Sequence, residues 1–163
     1  MTDLFLTRLD TPIGRLELVG DDESLTALTI ERGGALPHDG APERLNDVLE
    51  RARVQLIEYF DGTRTEFDVP VRLHGSAFQQ AVWAELARVG WGEAISYGAL
   101  AVAAGRPGSS RAIGGAVGAN PVPIIIGCHR VLASDGRITG YSAGEGVPTK
   151  VWLLGHERIG FAA

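Results

Sequence analysis

Asn120-Pro121-Val122-Pro123-Ile124-Ile125-Ile126-Gly127-Cys128-His129-Arg130-Val131-Leu132 holds the only cysteine of the 163-residue chain, beside a histidine and at the end of an apolar run. Pro121 and Pro123 bias the preceding backbone toward extended geometry. The β-branched run at 124–126 is too short for a helix, so a buried extended segment delivering Cys128 into an interior pocket is expected. A thiol with an ordinary pKa near ~8.5 is mostly protonated at neutral pH, so a nucleophilic Cys128 needs a base, a cation or a helix N-terminus nearby. His129 is the candidate base. Neighbouring side chains point about 100° apart on a helix and to opposite faces of a strand, which favours a bridging water over a direct Cys128–His129 hydrogen bond. Glu157 is the candidate for orienting the imidazole. The competing reading is a lone cysteine serving as a small buried hydrophobe, and Cys-His adjacency alone does not separate the two.

More of the chain bears on that choice. The quoted stretch, followed by Tyr141-Ser142 and by Trp152-Leu153-Leu154-Gly155-His156-Glu157, resembles the O6-alkylguanine-DNA alkyltransferases, also called methylated-DNA:protein-cysteine methyltransferases. The likeness keeps order and spacing from Phe78 to Glu157 and extends more weakly over the N-terminal half. That family carries Pro-Cys-His-Arg-Val, whereas this chain has Gly127 before its cysteine. Glycine frees φ and restores an N–H, so a less preorganised cysteine loop is expected.

Length and hydrophobic content (45%) suit one domain or two small ones. With no long apolar run, signal peptide or lipidation signal, a soluble cytoplasmic protein is expected, with no membrane partner. A single cysteine excludes an internal disulfide and any cysteine-rich zinc site, and no metal is expected. The net charge of −5 is unevenly spread: residues 1–75 carry 8 Lys and Arg against 15 Asp and Glu, and residues 76–163 carry 7 against 5. A mildly basic second half reconciles an acidic protein with a DNA partner, through few phosphate contacts.

Alternating segments at 4–9, 15–19 and 25–30 read as an antiparallel meander. Residues 33–40 read as a loop with a solvated His38. Leu45, Val48, Leu49, Ala52, Leu56 and Tyr59 predict an amphipathic helix over 43–60 packed on the sheet, and 66–73 a last extended piece before a boundary at Gly75. Ser76 and Gln79 form a capping box for a helix over 77–89. Ser96 caps a helix over 97–104, and Ser109 or Ser110 caps one running to Gly118, a helix-turn-helix spacing. Small residues on that last helix, Gly114 and Gly115 among them, permit close backbone approach to another surface, or equally tight helix packing. Residues 134–137 read as a turn resembling a wing, and Pro148 opens a final helix on which Trp152 and Leu153 or Leu154 face the core. The fold class is α+β: an N-terminal sheet-plus-helix domain (1–75) and a mainly helical, winged helix-turn-helix domain (76–163) with the reactive cysteine.

The resemblance implies single-turnover, direct-reversal DNA repair, in which Cys128 takes the alkyl group from O6 of guanine, with O4 of thymine a second candidate. It implies double-stranded DNA bound through the minor groove by Ser110, Arg111, Gly114 and Gly115, with Arg111 filling the place of an everted nucleotide. The base would enter a pocket of Tyr97, Val131, Tyr141 and Ser142, Tyr97 acting on a ring nitrogen and Ser142 on the oxygen side. Asn120 would bridge the recognition helix and the cysteine segment. No S-adenosylmethionine-type glycine motif is visible, so no cofactor is expected, and the protein should act as a monomer. The alternatives are a non-catalytic alkyl-lesion-binding helix-turn-helix protein and a cysteine hydrolase, the latter needing an oxyanion hole and turnover.

Overall fold

Strands β1 (Phe5–Thr11), β2 (Gly14–Gly20) and β3 (Leu25–Ile30) pair antiparallel in that order in the computed structural model, which describes residues 4–162. Leu9 faces Leu16, and Leu16 faces Ile30 across the next ladder. Their burial makes one face of the meander a core surface. A bulge lies between Val19 and Gly20, where a Cβ on Gly20 would stand 2.5 Å from the Ser24 carbonyl oxygen. Only glycine fits there.

Helix α1 (Asp47–Phe60) covers the sheet with Leu49, Ala52, Leu56 and Tyr59, all fully buried. It begins four residues later than the apolar spacing predicts. Asn46 caps it, accepting from the Leu49 N–H at 3.0 Å, and Arg44 is held in an isolated bridge to Leu6, which leaves Leu45 exposed. His38 is not simply solvated either: its Nδ1 lies 2.7 Å from Glu17 Oε2, and its backbone N–H donates to Glu17 Oε1 at 3.0 Å. Glu17 is buried on a strand, and the loop histidine supplies the partner such a carboxylate requires. Val71 of the expected last extended piece makes one parallel bridge to Leu25.

The chain divides into two compact units, Met1–His74 and Gly75–Ala163. In the second, α2 (Ala77–Leu86) starts at the predicted capping box, Ser76 Oγ accepting from the Gln79 N–H and Gln79 Oε1 from the Ser76 N–H. It stops at Leu86 rather than 89, because residues 88 and 89 bond back three residues. Strand β4 (Ile95–Ser96) leads into α3 (Tyr97–Ala103), capped by Ser96 Oγ on the Ala99 N–H at 3.0 Å. After a turn comes α4 (Ser110–Gly118), where Ser109 holds the cap position without a side-chain bond. The buried indole of Trp83 donates to the Ala116 carbonyl at 2.8 Å and ties α2 to α4.

Strand β5 (Val131–Leu132) pairs in parallel with β4, and the turn that follows closes with the Ala133 N–H on the Arg137 carbonyl. Helix α5 (Val147–His156), with Pro148 in its first turn, buries Leu153 and Leu154. Trp152 is only half-buried and stacks on His156 at 4.8 Å, so the core face of α5 is completed by Thr149 and Lys150 instead. Among the described residues no helix is long and apolar enough to cross a membrane.

Candidate active site

The segment from 120 to 127 is not extended. Ile124 is fully buried with φ 75°, a region that costs a β-branched residue about 1–3 kcal/mol. Asn120 holds the turn from both sides: Oδ1 accepts from the Val122 N–H at 3.1 Å and Nδ2 donates to the Ile126 carbonyl at 2.8 Å. The Ile126 N–H bonds to the Val122 carbonyl and the Cys128 N–H to the Ile126 carbonyl. Asn120, one residue beyond the C-cap of α4, thus couples that helix to the cysteine turn, and local backbone bonding overrides the extended bias of the prolines.

Cys128 opens a 3-10 turn, Cys128–Arg130, and is 4% exposed. Its Sγ lies 3.5 Å from Tyr141 Oη. Burial pushes the thiol up from its ordinary value, while hydrogen bonds from Tyr141 and Asn120 and the charge of Lys150 act the other way. Lys150 is almost fully buried; its Nζ donates to the carbonyls of Val131 at 2.6 Å and Gly140 at 3.2 Å and sits 5.9 Å from the Tyr141 ring centre. Burial lowers the Lys150 ammonium, and the neighbouring sulfur raises it.

His129 does not bond to Cys128. Its Nε2 lies 2.8 Å from Glu157 Oε2, both side chains being fully buried, and its Nδ1 is buried with no protein partner. With the carboxylate on Nε2, the proton belongs there and the Nδ1 lone pair is left to accept. Glu157 is also gripped by Arg130, Nε to Oε1 at 2.8 Å and Nη2 to Oε2 at 2.9 Å, and accepts from the Gly92 N–H at 3.3 Å. Burial alone would raise the Glu157 carboxyl, but the bonds from His129 and Arg130 hold it well below the usual carboxylate range. Burial lowers His129, with Glu157 opposing and Arg130 and Lys150 assisting.

A pH dependence of stability follows. The unfolded chain protonates His129 near about 6.5 while the buried ring resists, so the unfolded state binds more protons and stability falls as pH drops below that value. The depressed Glu157 adds a further loss at lower pH, below about 4.3. Urea midpoints measured from about pH 8 to 5.5 should fall for the native chain and fall less for His129→Asn; equal slopes would count against a buried neutral imidazole.

A cleft of about 680 Å³ is lined by Tyr97, Ser110, Arg111, Gly114, Ser134 and Thr139; of the residues expected to form the base pocket it takes in Tyr97, while Val131, Tyr141 and Ser142, like Cys128 itself, are not among its lining residues. Arg111 and Gly115 lie on the exposed face of α4, and a Cβ on Gly115 would meet nothing within 4 Å, one on Gly114 only Tyr97 Cε1 at 3.8 Å. Tight packing inside the chain therefore does not explain those glycines. Ser142 Oγ donates to the Gly118 carbonyl at 2.8 Å, and the side chain of Val131 is fully buried while its carbonyl serves Lys150. The structure thus gathers Cys128, Tyr141 and Asn120 around the sulfur, His129 and Glu157 into one pair, and Tyr97, Ser110, Arg111 and Gly114 along the cleft.

Arg130 and Lys150 are the residues that sequence reasoning missed. Lys150 did leave a signal, since it precedes Leu153 and Leu154 by three and four residues and so shares their buried face. For Arg130 the signal was indirect. Gly127 has φ −75°, within the range proline itself would hold. A Cβ at this position would stand 2.8 Å from Cδ, Nε and Nη1 of Arg130, which shows how closely the arginine folds back over the start of the turn.

Residues 4–73 match the family described as 6-O-methylguanine DNA methyltransferase, ribonuclease-like domain, and residues 77–159 match the DNA binding domain of the same description. The chain is 39% identical to a methylated-DNA–protein-cysteine methyltransferase of Haemophilus influenzae, over 98% of this chain and 89% of that one. It is likewise 39% identical to one of Rattus norvegicus, over 94% and 81%. Among solved structures it superposes on the Mycobacterium tuberculosis O6-methylguanine methyltransferase with a TM-score of 0.84 at 39% identity, covering 96% of this chain and 93% of that one. A crystal structure of Mycobacterium tuberculosis OGT in complex with DNA gives 0.84 at 40% identity, covering 94% and 93%.

Proposed function

The chain belongs to the 6-O-methylguanine DNA methyltransferase family, and from that membership we propose that it repairs DNA by direct reversal, moving the methyl group of O6-methylguanine onto Cys128. The observation that carries the assignment of roles is a lone cysteine next in the chain to an imidazole whose Nε2 is fixed by a carboxylate and whose Nδ1 is left to accept.

In this reading His129 Nδ1 takes the Cys128 proton through a bridging water, and Glu157 stabilises the imidazolium that forms. Tyr141 Oη and the Lys150 charge stabilise the thiolate. The sulfur attacks the methyl carbon in line: the S–C bond forms, the C–O6 bond breaks, and its electron pair stays on guanine. Tyr97 donates a hydrogen bond to a ring nitrogen of the departing base, and the proton that His129 took from the sulfur returns through solvent to that base, so Tyr97 and His129 end the step as they began. The thioether is inert, and each molecule acts once.

Double-stranded DNA is the partner, and α3, the turn and α4 act as a helix-turn-helix with the 133–137 turn as its wing. The exposed glycines of α4 let its backbone approach the minor groove, and Arg111 occupies the place of the everted nucleotide. Because Cys128 is 4% exposed and Ser142 is bonded to Gly118, the 140–144 loop yields as the base enters, which frees the Ser142 hydroxyl for the oxygen side. The lack of a direct Cys128–His129 bond disfavours a hydrolase dyad. The protein acts as a cytoplasmic monomer.

Intact mass tests this. After incubation with a duplex bearing O6-methylguanine, the chain should gain one methyl on Cys128 and no more, with equimolar loss of the lesion. An unmodified chain that still retains the lesion would make it a lesion reader instead.

A further inference from the structure

Arg130 grips both oxygens of Glu157, and it shares Oε2 with His129. Its Nη1 is spent on the Val89 carbonyl at 2.7 Å, so the guanidinium is pinned from two sides and is itself 6% exposed. A carboxylate that serves two cations' worth of donors offers less of its charge to either. The other groups facing His129 are Lys150 on α5 and Cys128 beside it in the chain, and Lys150 acts in the same sense as Arg130.

We propose that Arg130 is a positioning residue for the transfer, engaging both oxygens of Glu157 so that His129 stays a neutral imidazole able to accept the Cys128 proton. The inference rests on the reaction proposed above. Without the guanidinium, the full charge of Glu157 would draw a proton onto the buried ring, and a protonated His129 cannot serve as base.

The test is a titration of His129 in the full chain, read from the imidazole nitrogens by NMR, together with the pH profile of methyl transfer. In Arg130→Gln, His129 should titrate at a pH higher by roughly one unit or more than in the native chain. The acid limb of the transfer profile should move up by the same amount, and the two rates should converge at high pH. Arg130→Lys, which keeps a charge but not the fork, should fall between. Arg130→Lys also decides the matter if Arg130→Gln fails to fold. An unmoved His129 titration in the folded variants, or a rate loss of one factor at every pH, overturns the proposal. Should the native chain gain no methyl at all, the reaction assignment fails, while the nitrogen titration still decides the role of Arg130.

Discussion

Cys128→Ser is expected to gain no methyl from an O6-methylguanine duplex while binding that duplex about as tightly as the native chain. Burial pushes the Cys128 thiol up, and Tyr141 Oη at 3.5 Å, the Asn120 amide and the Lys150 charge act against that, so a sulfur can still be ionised here with the help of a base. A hydroxyl is far harder to ionise, and a water-bridged imidazole is too weak a base to achieve it, so the loss amounts to the whole covalent step. Binding should survive because the proposed DNA contacts, Arg111 and the open face of α4, lie outside the Cys128–Arg130 turn. Intact mass and a gel-shift titration on one preparation check both halves. A methylated serine variant, or a native chain methylated on another residue, would remove Cys128 from the mechanism.

The second large effect is expected at Glu157, where Glu157→Gln should lower stability and transfer together. The carboxylate is fully buried and is the shared partner of His129 and Arg130. Removing its charge leaves the Arg130 guanidinium buried without a counter-ion, a change that costs about 3–5 kcal/mol in comparable sites. The rate should fall on the order of 10²-fold or more, because the imidazolium formed at His129 loses its stabiliser. Urea denaturation gives the first number and a time course of intact mass the second. Stability within about 1 kcal/mol of the native chain would mean that the pair behaves as a surface ion pair. The effect on His129 is also opposite in sign to that of Arg130→Gln: loss of Glu157 makes the ring harder to protonate, loss of Arg130 makes it easier.

The architecture was largely legible. Alternation set the three strands, Ser76 with Gln79 marked the start of α2, and Ser96 marked the start of α3, because caps and periodicity are information held within a few residues. Where a distant partner intervened, local reading slipped. The spacing of Leu45 suggested an earlier start for α1, but the backbone of Arg44 was committed to Leu6. The apolar run before the cysteine looked extended, but Asn120 bends it and Ile124 takes a positive φ.

The reactive centre divides along the same line. The sequence by itself nominated Cys128 and the adjacent imidazole as candidates, and its family resemblance nominated the distal glutamate and Arg111 on the small-residue helix, since these are matters of residue type, order and spacing. Only the tertiary structure decided that His129 gives its Nε2 to a carboxylate 28 residues on, that Arg130 reaches the same carboxylate across 27, and that the charge of a buried lysine acts on the sulfur. The reason is physical. Removing these charges from water is tolerable only when each meets a partner, and the partners come from separate segments whose meeting is fixed by the packing of α5 against the cysteine turn.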